Sequence, residues 1–162
     1  MTPQQSRNAA YTLALLIPGA LMGGALISQY VFGLYPCEMC WWQRYPHIVA
    51  IVLAPLALTM RGSRTGDVLV RLAALAVGIS GLIGAFHAGV EYHWWEGITT
   101  CSRLGEVGGD PLAAIMDAPV IRCDVAQWTL FGVSLAGFNF LISTAGAVAV
   151  FVLLGRGNRR AA

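Results

Sequence analysis

The stretch LAALAVGISGLIGAFHAGV (Leu72–Val90) runs for 19 residues between Arg71 and Glu91 without a charged side chain. A helix of about 20 mostly apolar residues crosses a ~30 Å hydrocarbon core, so this segment alone is a candidate span. Working outward, the other charge-free gaps are Asn8–Cys37 with 30 residues, Tyr45–Met60 with 16 and Val125–Gly155 with 31. Three of the four are long enough outright. The second covers only about 24 Å at ~1.5 Å rise per residue. It reaches further by starting near Cys40, taking in Trp41 and Trp42 while Arg44 snorkels toward the headgroups. We therefore expect helices at about 11–32, 41–60, 69–90 and 129–154. That makes residues 1–162 one all-α integral membrane domain, a four-transmembrane-helix bundle. The first span is expected to be retained, because its apolar run exceeds a signal-peptide core and no small-residue cleavage site with a soluble domain follows.

Composition agrees with this reading. Of 162 residues, 57% are hydrophobic and 11% charged, and the mean hydropathy is +0.65. Soluble domains carry about 25% charged residues, so an ordinary soluble globule and a disordered chain are both excluded. The ten basic residues are all arginine, give a net charge of +2, and are scattered. A nucleic-acid partner needs a concentrated basic face, which is absent from this pattern.

The arginines also orient the chain. Arg7, Arg61, Arg64, Arg71, Arg156, Arg159 and Arg160 fall on one side, with Asp67 as the lone acid. Arg44, Arg103 and Arg122 fall on the other. Seven against three follows the positive-inside rule, placing both termini in the cytoplasm and loops 33–40 and 91–128 outside. Small residues give the helices means to associate: Gly19 and Gly23 on the first, and Gly81, Ala85 and Gly89 on the third. The general glycine content of membrane helices accounts equally well for any one of them. Asn139, deep in the fourth span, is expected to hydrogen-bond a neighbouring helix.

All four cysteines lie on the outward side. Cys37 and Cys40 form a CxxC in the short first loop, and Cys101 and Cys123 stand 22 positions apart in the second. Disulfides persist in the oxidising compartment outside a bacterial inner membrane, and four cysteines allow three pairings. Successive spacings of 3, 61 and 22 lack the second close ligand pair of a structural zinc site, so no metal is expected. Disulfides that merely brace the loops, and a redox relay, are both compatible with the pattern. A CxxC at a helix start has chemical use, since a helix N-terminus or a nearby cation stabilises a thiolate. Arg44 follows Cys40 by four, placing both on one helical face. Glu38 opposes this by disfavouring a neighbouring thiolate. If Pro46 were the first helical residue, that shared turn would be lost and the helix would be too short to span. An earlier start with a kink at Pro46 fits better.

Within the second loop, Asp110-Pro111 reads as an N-cap followed by proline at the first helical position. Leu112, Ile115 and Met116 then share one face, as in a short helix lying on the membrane surface. Trp94, Trp95 and Trp128 read as interfacial aromatics. His87, near the outward end of the third span, either meets a ligand at that depth or bonds a neighbouring helix. His93 reads as a solvated interfacial residue, and His47 stands near Arg44.

GLYPCEMCWWQR (Gly33–Arg44), GITTC (Gly97–Cys101), RCD (Arg122–Asp124), Trp128 and GVSLAG (Gly132–Gly137) together resemble the disulfide bond formation protein B (DsbB) family of bacterial inner-membrane proteins. The resemblance extends along essentially the whole chain. In the vitamin K epoxide reductase family, which shares the chemistry, the CxxC follows the loop pair, contrary to the order here. The resemblance implies an enzyme that reoxidises a periplasmic thioredoxin-like dithiol oxidase (DsbA-like) and passes the electrons to a membrane quinone, either ubiquinone or menaquinone. By the same resemblance, Cys101 meets the partner and Cys123 completes the loop pair. Cys37 exchanges with Cys123, and Cys40 lies against the quinone as a thiolate. Arg44 matches the quinone-site arginine, and His87 is a further candidate contact. Two alternatives stand beside this: a relative dedicated to another thioredoxin-like partner, and a structural membrane protein whose disulfides brace its loops.

Overall fold

The computed structural model describes residues 1–99, 101 and 121–159. Its long helices are α1 (Pro3–Tyr30), α2 (Glu38–Thr59), α3 (Arg64–Glu91) and α4 (Leu135–Arg159), with a two-stranded hairpin, β1 (Thr129–Leu130) and β2 (Val133–Ser134), ahead of α4. The segment expected to form the surface helix, from Asp110 through Met116, lies outside the described residues.

Local chemistry explains the helix boundaries. α1 starts at Pro3, eight residues before the expected 11, because Thr2 and Gln5 form a capping box. The Gln5 N–H donates to Thr2 Oγ1 at 3.2 Å, and the Thr2 N–H to Gln5 Oε1 at 2.8 Å. α2 starts at Glu38, before the expected 41, with Cys37 as its N-cap, and continues through Pro46 and Pro55. α3 starts at Arg64 rather than 69 because Ser63 Oγ accepts the Gly66 N–H at 3.0 Å. The fourth helix starts later than expected, at Leu135 rather than 129. Residues 129–134 form a hairpin whose Phe131 and Gly132 have φ of 52° and 77°. Two successive positive φ angles suit a two-residue hairpin turn, in which glycine carries no steric cost. Ser134 Oγ then accepts the Gly137 N–H at 3.1 Å, so the helix begins after it. Tyr92 anchors the hairpin to the end of α3, donating to the Gly132 carbonyl and accepting from the Ser134 N–H, each at 2.9 Å.

α1, α3 and residues Leu135–Gly157 of α4 are long and apolar enough to cross a membrane. α2 falls short of that measure because its first turns carry Glu38, Gln43, Arg44 and His47. The helices pack in the cyclic order α1, α2, α3, α4, with a smaller contact across the bundle between α1 and α3. The contacts are built from small residues: Ala10, Ala14, Ala54, Ala57 and Ala74 surround Tyr11, Val70, Val150 and Leu154 at the arginine-rich end. Ala50, Ala73, Ala76 and Val77 fill the middle. Large side chains such as Leu82, Val52 and Leu141 point outward. Lipid tails are as apolar as leucine, so helices there associate through close backbone approach rather than apolar burial.

Gly81 illustrates that approach, since a Cβ there would lie 2.8 Å from Thr144 Oγ1 on α4. At Gly19 and Gly23, by contrast, a Cβ would meet no other element within 4 Å among the described residues. At the arginine-rich end, Arg7 Nη2 donates to Asp67 Oδ1 at 3.0 Å and the Tyr11 hydroxyl donates to the same oxygen at 2.9 Å. The lone acid of that side is thus satisfied.

Candidate functional site

The N-terminus of α2 brings the CxxC into place. Cys37, in extended conformation, caps the helix with its sulfur accepting the Cys40 N–H at 3.2 Å. One helical turn separates the two cysteines, and their sulfur atoms lie 2.9 Å apart, unbonded, with the Cys37 thiol donating to Cys40. Donating that proton, together with burial, pushes the Cys37 thiol well above its ordinary range.

The second pair lies against the first. Cys101 and Cys123 are joined by a disulfide, and the Cys123 N–H donates to the Cys101 carbonyl at 3.0 Å. Cys101 is 8% exposed and Cys123 0%, so Cys101 is the more accessible to an external thiol. Cys37, Met39, Val90, Cys101 and Cys123 form one buried cluster. Within it the ligand-type atoms of Cys37, His87 and Cys123 all lie within 4.8 Å of one another. Cys123 spends its sulfur in the disulfide and so offers no thiolate to a metal. The Gln127 side-chain amide donates to the Tyr35 carbonyl at 2.7 Å, fastening the second loop to the first. Beside Cys123, the Arg122 guanidinium pairs with Asp124 and holds its carboxyl below the usual range.

A cavity of about 250 Å³ opens next to the CxxC, walled by α1 on one side and by Cys40, Arg44, His47, His87 and Trp128 among others. Arg44 is 7% exposed, yet its hydrogen bonds go to neutral acceptors. It donates to Gln29 Oε1 at 2.6 Å and to the Ala25 carbonyl at 3.3 Å, and its guanidinium lies 4.9 Å from the centre of the Trp41 ring. Among the described residues no carboxylate forms an ion pair with it. A buried cation without a counter-charge is costly in isolation, so this site favours negative charge developing nearby.

All six expected site residues, Cys37, Cys40, Cys101, Cys123, Arg44 and His87, are brought around this cavity or the cysteine cluster. Both ring nitrogens of His87 face protein groups. Nδ1 lies 2.8 Å from Gln43 Nε2, and Nε2 lies 3.2 Å from the Cys123 carbonyl and 3.6 Å from Cys37 Sγ. His93, in contrast, is exposed. Asn139 bonds neighbouring helices as expected, reaching Gln43 Oε1 at 2.8 Å and the Ser80 carbonyl at 3.1 Å.

Gln43 and Glu91, together with the part His47 plays, are residues that sequence reasoning passed over. His47 Nε2 donates to Asn139 Oδ1 at 3.0 Å, and among the described residues its Nδ1 is buried without a hydrogen-bond partner, as is Glu91 Oε2. The signal was present in the spacing: Gln43 and His47 are four apart, three and seven beyond Cys40, and so share its helical face.

The family model "Disulfide bond formation protein DsbB" matches residues 7–153. Disulfide bond formation protein B of Acidovorax sp. (strain JS42) is 33% identical, covering 88% of this chain and 84% of its own length. The protein of that name from Verminephrobacter eiseniae is 30% identical over 88% of this chain and 82% of its own length. The one from Aromatoleum aromaticum is 28% identical over 93% and 94%. No solved structure gives a significant match. With its apolar helices, its paired cysteines and a family match over nearly its full length, this membrane protein belongs to the disulfide bond formation protein DsbB family of disulfide-forming oxidoreductases.

Proposed function

We propose that the chain reoxidises a periplasmic thioredoxin-like dithiol oxidase (DsbA-like) and delivers the electrons to a membrane quinone, ubiquinone or menaquinone. In this reading all four helices cross the bacterial inner membrane, both termini are cytoplasmic, and loops 33–40 and 91–128 are periplasmic. The observation that carries it is the arrangement of three sulfur atoms. Cys37 Sγ lies 2.9 Å from Cys40 Sγ and within 4.8 Å of Cys123 Sγ. Thiol–disulfide exchange requires only such an approach and no metal.

The steps follow from exposure and position. An incoming thiolate attacks Cys101, the more exposed residue of the loop disulfide, and frees Cys123. Cys123 attacks Cys37 of a closed CxxC, and Cys40 leaves as a thiolate whose charge the buried Arg44 favours. The partner's second thiolate then attacks the partner sulfur bonded to Cys101, leaving as an oxidised dithiol and freeing the Cys101 thiolate. Return attack by that thiolate on Cys123 closes the loop disulfide and leaves the CxxC reduced. A closed loop pair beside open Cys37 and Cys40 corresponds to that last state.

The cavity suits a quinone ring. Cys40 and Arg44 would hold it, joined by His47, while His87, expected from the resemblance as a further contact, lines the wall with both ring nitrogens engaged by protein groups. Among the described residues His47 Nδ1 and Glu91 Oε2 are buried without a hydrogen-bond partner and call for a ligand or water. A bound quinone would supply a two-electron, two-proton acceptor for the CxxC. Arg44 and Cys40, one turn apart, set the charge that acceptor meets.

The test is quinone reduction by the purified protein, fed with a reduced thioredoxin-like dithiol partner. Cys40→Ser is expected to abolish it. Retained reduction after that change would remove Cys40 from the path, and no reduction by the intact protein would leave the loop brace as the better account.

A further inference from the structure

Two backbone carbonyls determine how a chain of buried amides must point. Asn139 Nδ2 faces the Ser80 carbonyl at 3.1 Å, and Gln43 Nε2 faces the Met39 carbonyl at 3.2 Å. A carbonyl only accepts, so both of these atoms must be nitrogen donors rather than flipped oxygens. Asn139 Nδ2 accordingly also donates to Gln43 Oε1 at 2.8 Å, and Asn139 Oδ1 accepts from the Ser143 hydroxyl at 2.8 Å. Gln43 then presents an N–H to His87 Nδ1 at 2.8 Å. That nitrogen must accept, so the ring carries its proton on Nε2. Nε2–H points where the two cysteine pairs meet, 3.2 Å from the Cys123 carbonyl and 3.6 Å from Cys37 Sγ.

We propose that His87 is a hydrogen-bond donor to the exchanging sulfur of Cys37, held in the Nε2–H form by the Ser143–Asn139–Gln43 relay. This deepens the thiol relay proposed above and rests on it. His87 has two effects. Its bond to the Cys123 carbonyl keeps the loop pair seated over Cys37, and the same N–H stabilises negative charge on Cys37. The step it serves is the hand-over between pairs. The Cys101 thiolate attacks Cys123 in a Cys37–Cys123 disulfide. The Cys101–Cys123 bond forms, the Cys37–Cys123 bond breaks, and the electron pair leaves on Cys37 Sγ. One thiolate enters and one departs, with no net electron or proton. Gln43 and Asn139 act through His87 and are positioning residues.

Other charged or titratable groups face the same point. Glu91 Oε1, on α3, lies 3.8 Å from His87 Nε2, beyond hydrogen-bond length. Cys40 and Arg44 from α2 and Arg122 from the second loop line the adjoining cavity. Cys40 is the strongest competitor for the Cys37 proton, so the test removes it.

In the full chain carrying Cys40→Ser, Cys37 is the only free thiol, and its alkylation by iodoacetamide is followed against pH. With His87 present, the reactive thiolate is expected to form about one pH unit lower than with His87→Leu, an approximately tenfold difference in rate near neutral pH. His87→Gln, whose amide reaches the same position, is expected to restore part of it. In the unmutated chain, ¹⁵N NMR of labelled histidine is expected to show His87 protonated on Nε2 and bare at Nδ1. Identical alkylation profiles, or a His87 ring protonated on Nδ1, would overturn the proposal. Quinone reduction by the intact protein separates the two readings: its absence defeats the relay itself, whereas reduction with unchanged profiles defeats only the role of His87.

Discussion

The two ends of the helix bundle solve opposite problems. At the arginine-rich end, Ala10, Ala14, Ala54 and Ala57 let the helices close tightly, and the one acid, Asp67, is met by both Arg7 and Tyr11. At the cysteine end the helices stay apart around a cavity. There, among the described residues, Arg44 bonds neutral acceptors, and His47 Nδ1 and Glu91 Oε2 have no hydrogen-bond partner. Full satisfaction marks a region built for stability. Unmet polar groups and an uncompensated cation mark one that keeps room for charge to move.

The buried amide network between the two is where the contrast is easiest to break. Asn139→Leu removes bonds to Gln43, Ser80, His47 and Ser143 together. Leaving buried donors and acceptors unpaired costs ~1–3 kcal/mol each, so thermal unfolding in detergent should register a loss of about 2 kcal/mol or more. Thiol exchange between the pairs should slow with it. Arg44→His tests the cysteine end alone. The quinone concentration needed for half-maximal turnover should rise roughly tenfold, about 1.4 kcal/mol, while exchange between the loop pair and a dithiol partner stays unchanged. Asp67→Asn addresses the satisfied end and has the smallest effect. Stability should fall by about 0.5–1 kcal/mol, since partly exposed pairs and intramembrane hydrogen bonds contribute little, and quinone reduction should keep its rate. A redox defect in Asp67→Asn would erase the distinction between the ends.

Much of this division was legible in the residues. Gaps between charges located four long helices, because one charged side chain in lipid outweighs many apolar ones. The boundaries were less legible. Thr2 with Gln5, and Ser63 with Gly66, are short capping signals hidden beside strong apolar runs, so α1 and α3 begin earlier than hydropathy suggests. Phe131-Gly132 followed by Ser134 is a turn and a cap, but it sits inside a 31-residue charge-free gap and hydropathy reads straight through it. At the site, CxxC and Arg44 were readable from spacing within one helix. The meeting of Cys37, His87 and Cys123 was not, because it joins three segments separated by 50 and 36 residues. Gly19 and Gly23 illustrate the converse, a readable pattern that meets no other element among the described residues.

The account stands on Cys37 and Cys123 being exchange partners. The most direct measurement uses the full-length protein carrying Cys40→Ser and Cys101→Ser, which leaves only those two thiols. After mild oxidation with glutathione disulfide, mass spectrometry of proteolytic fragments reads the bonds formed. An intramolecular Cys37–Cys123 disulfide should dominate. Separate glutathione adducts on the two cysteines, with no bond between them, would contradict the relay.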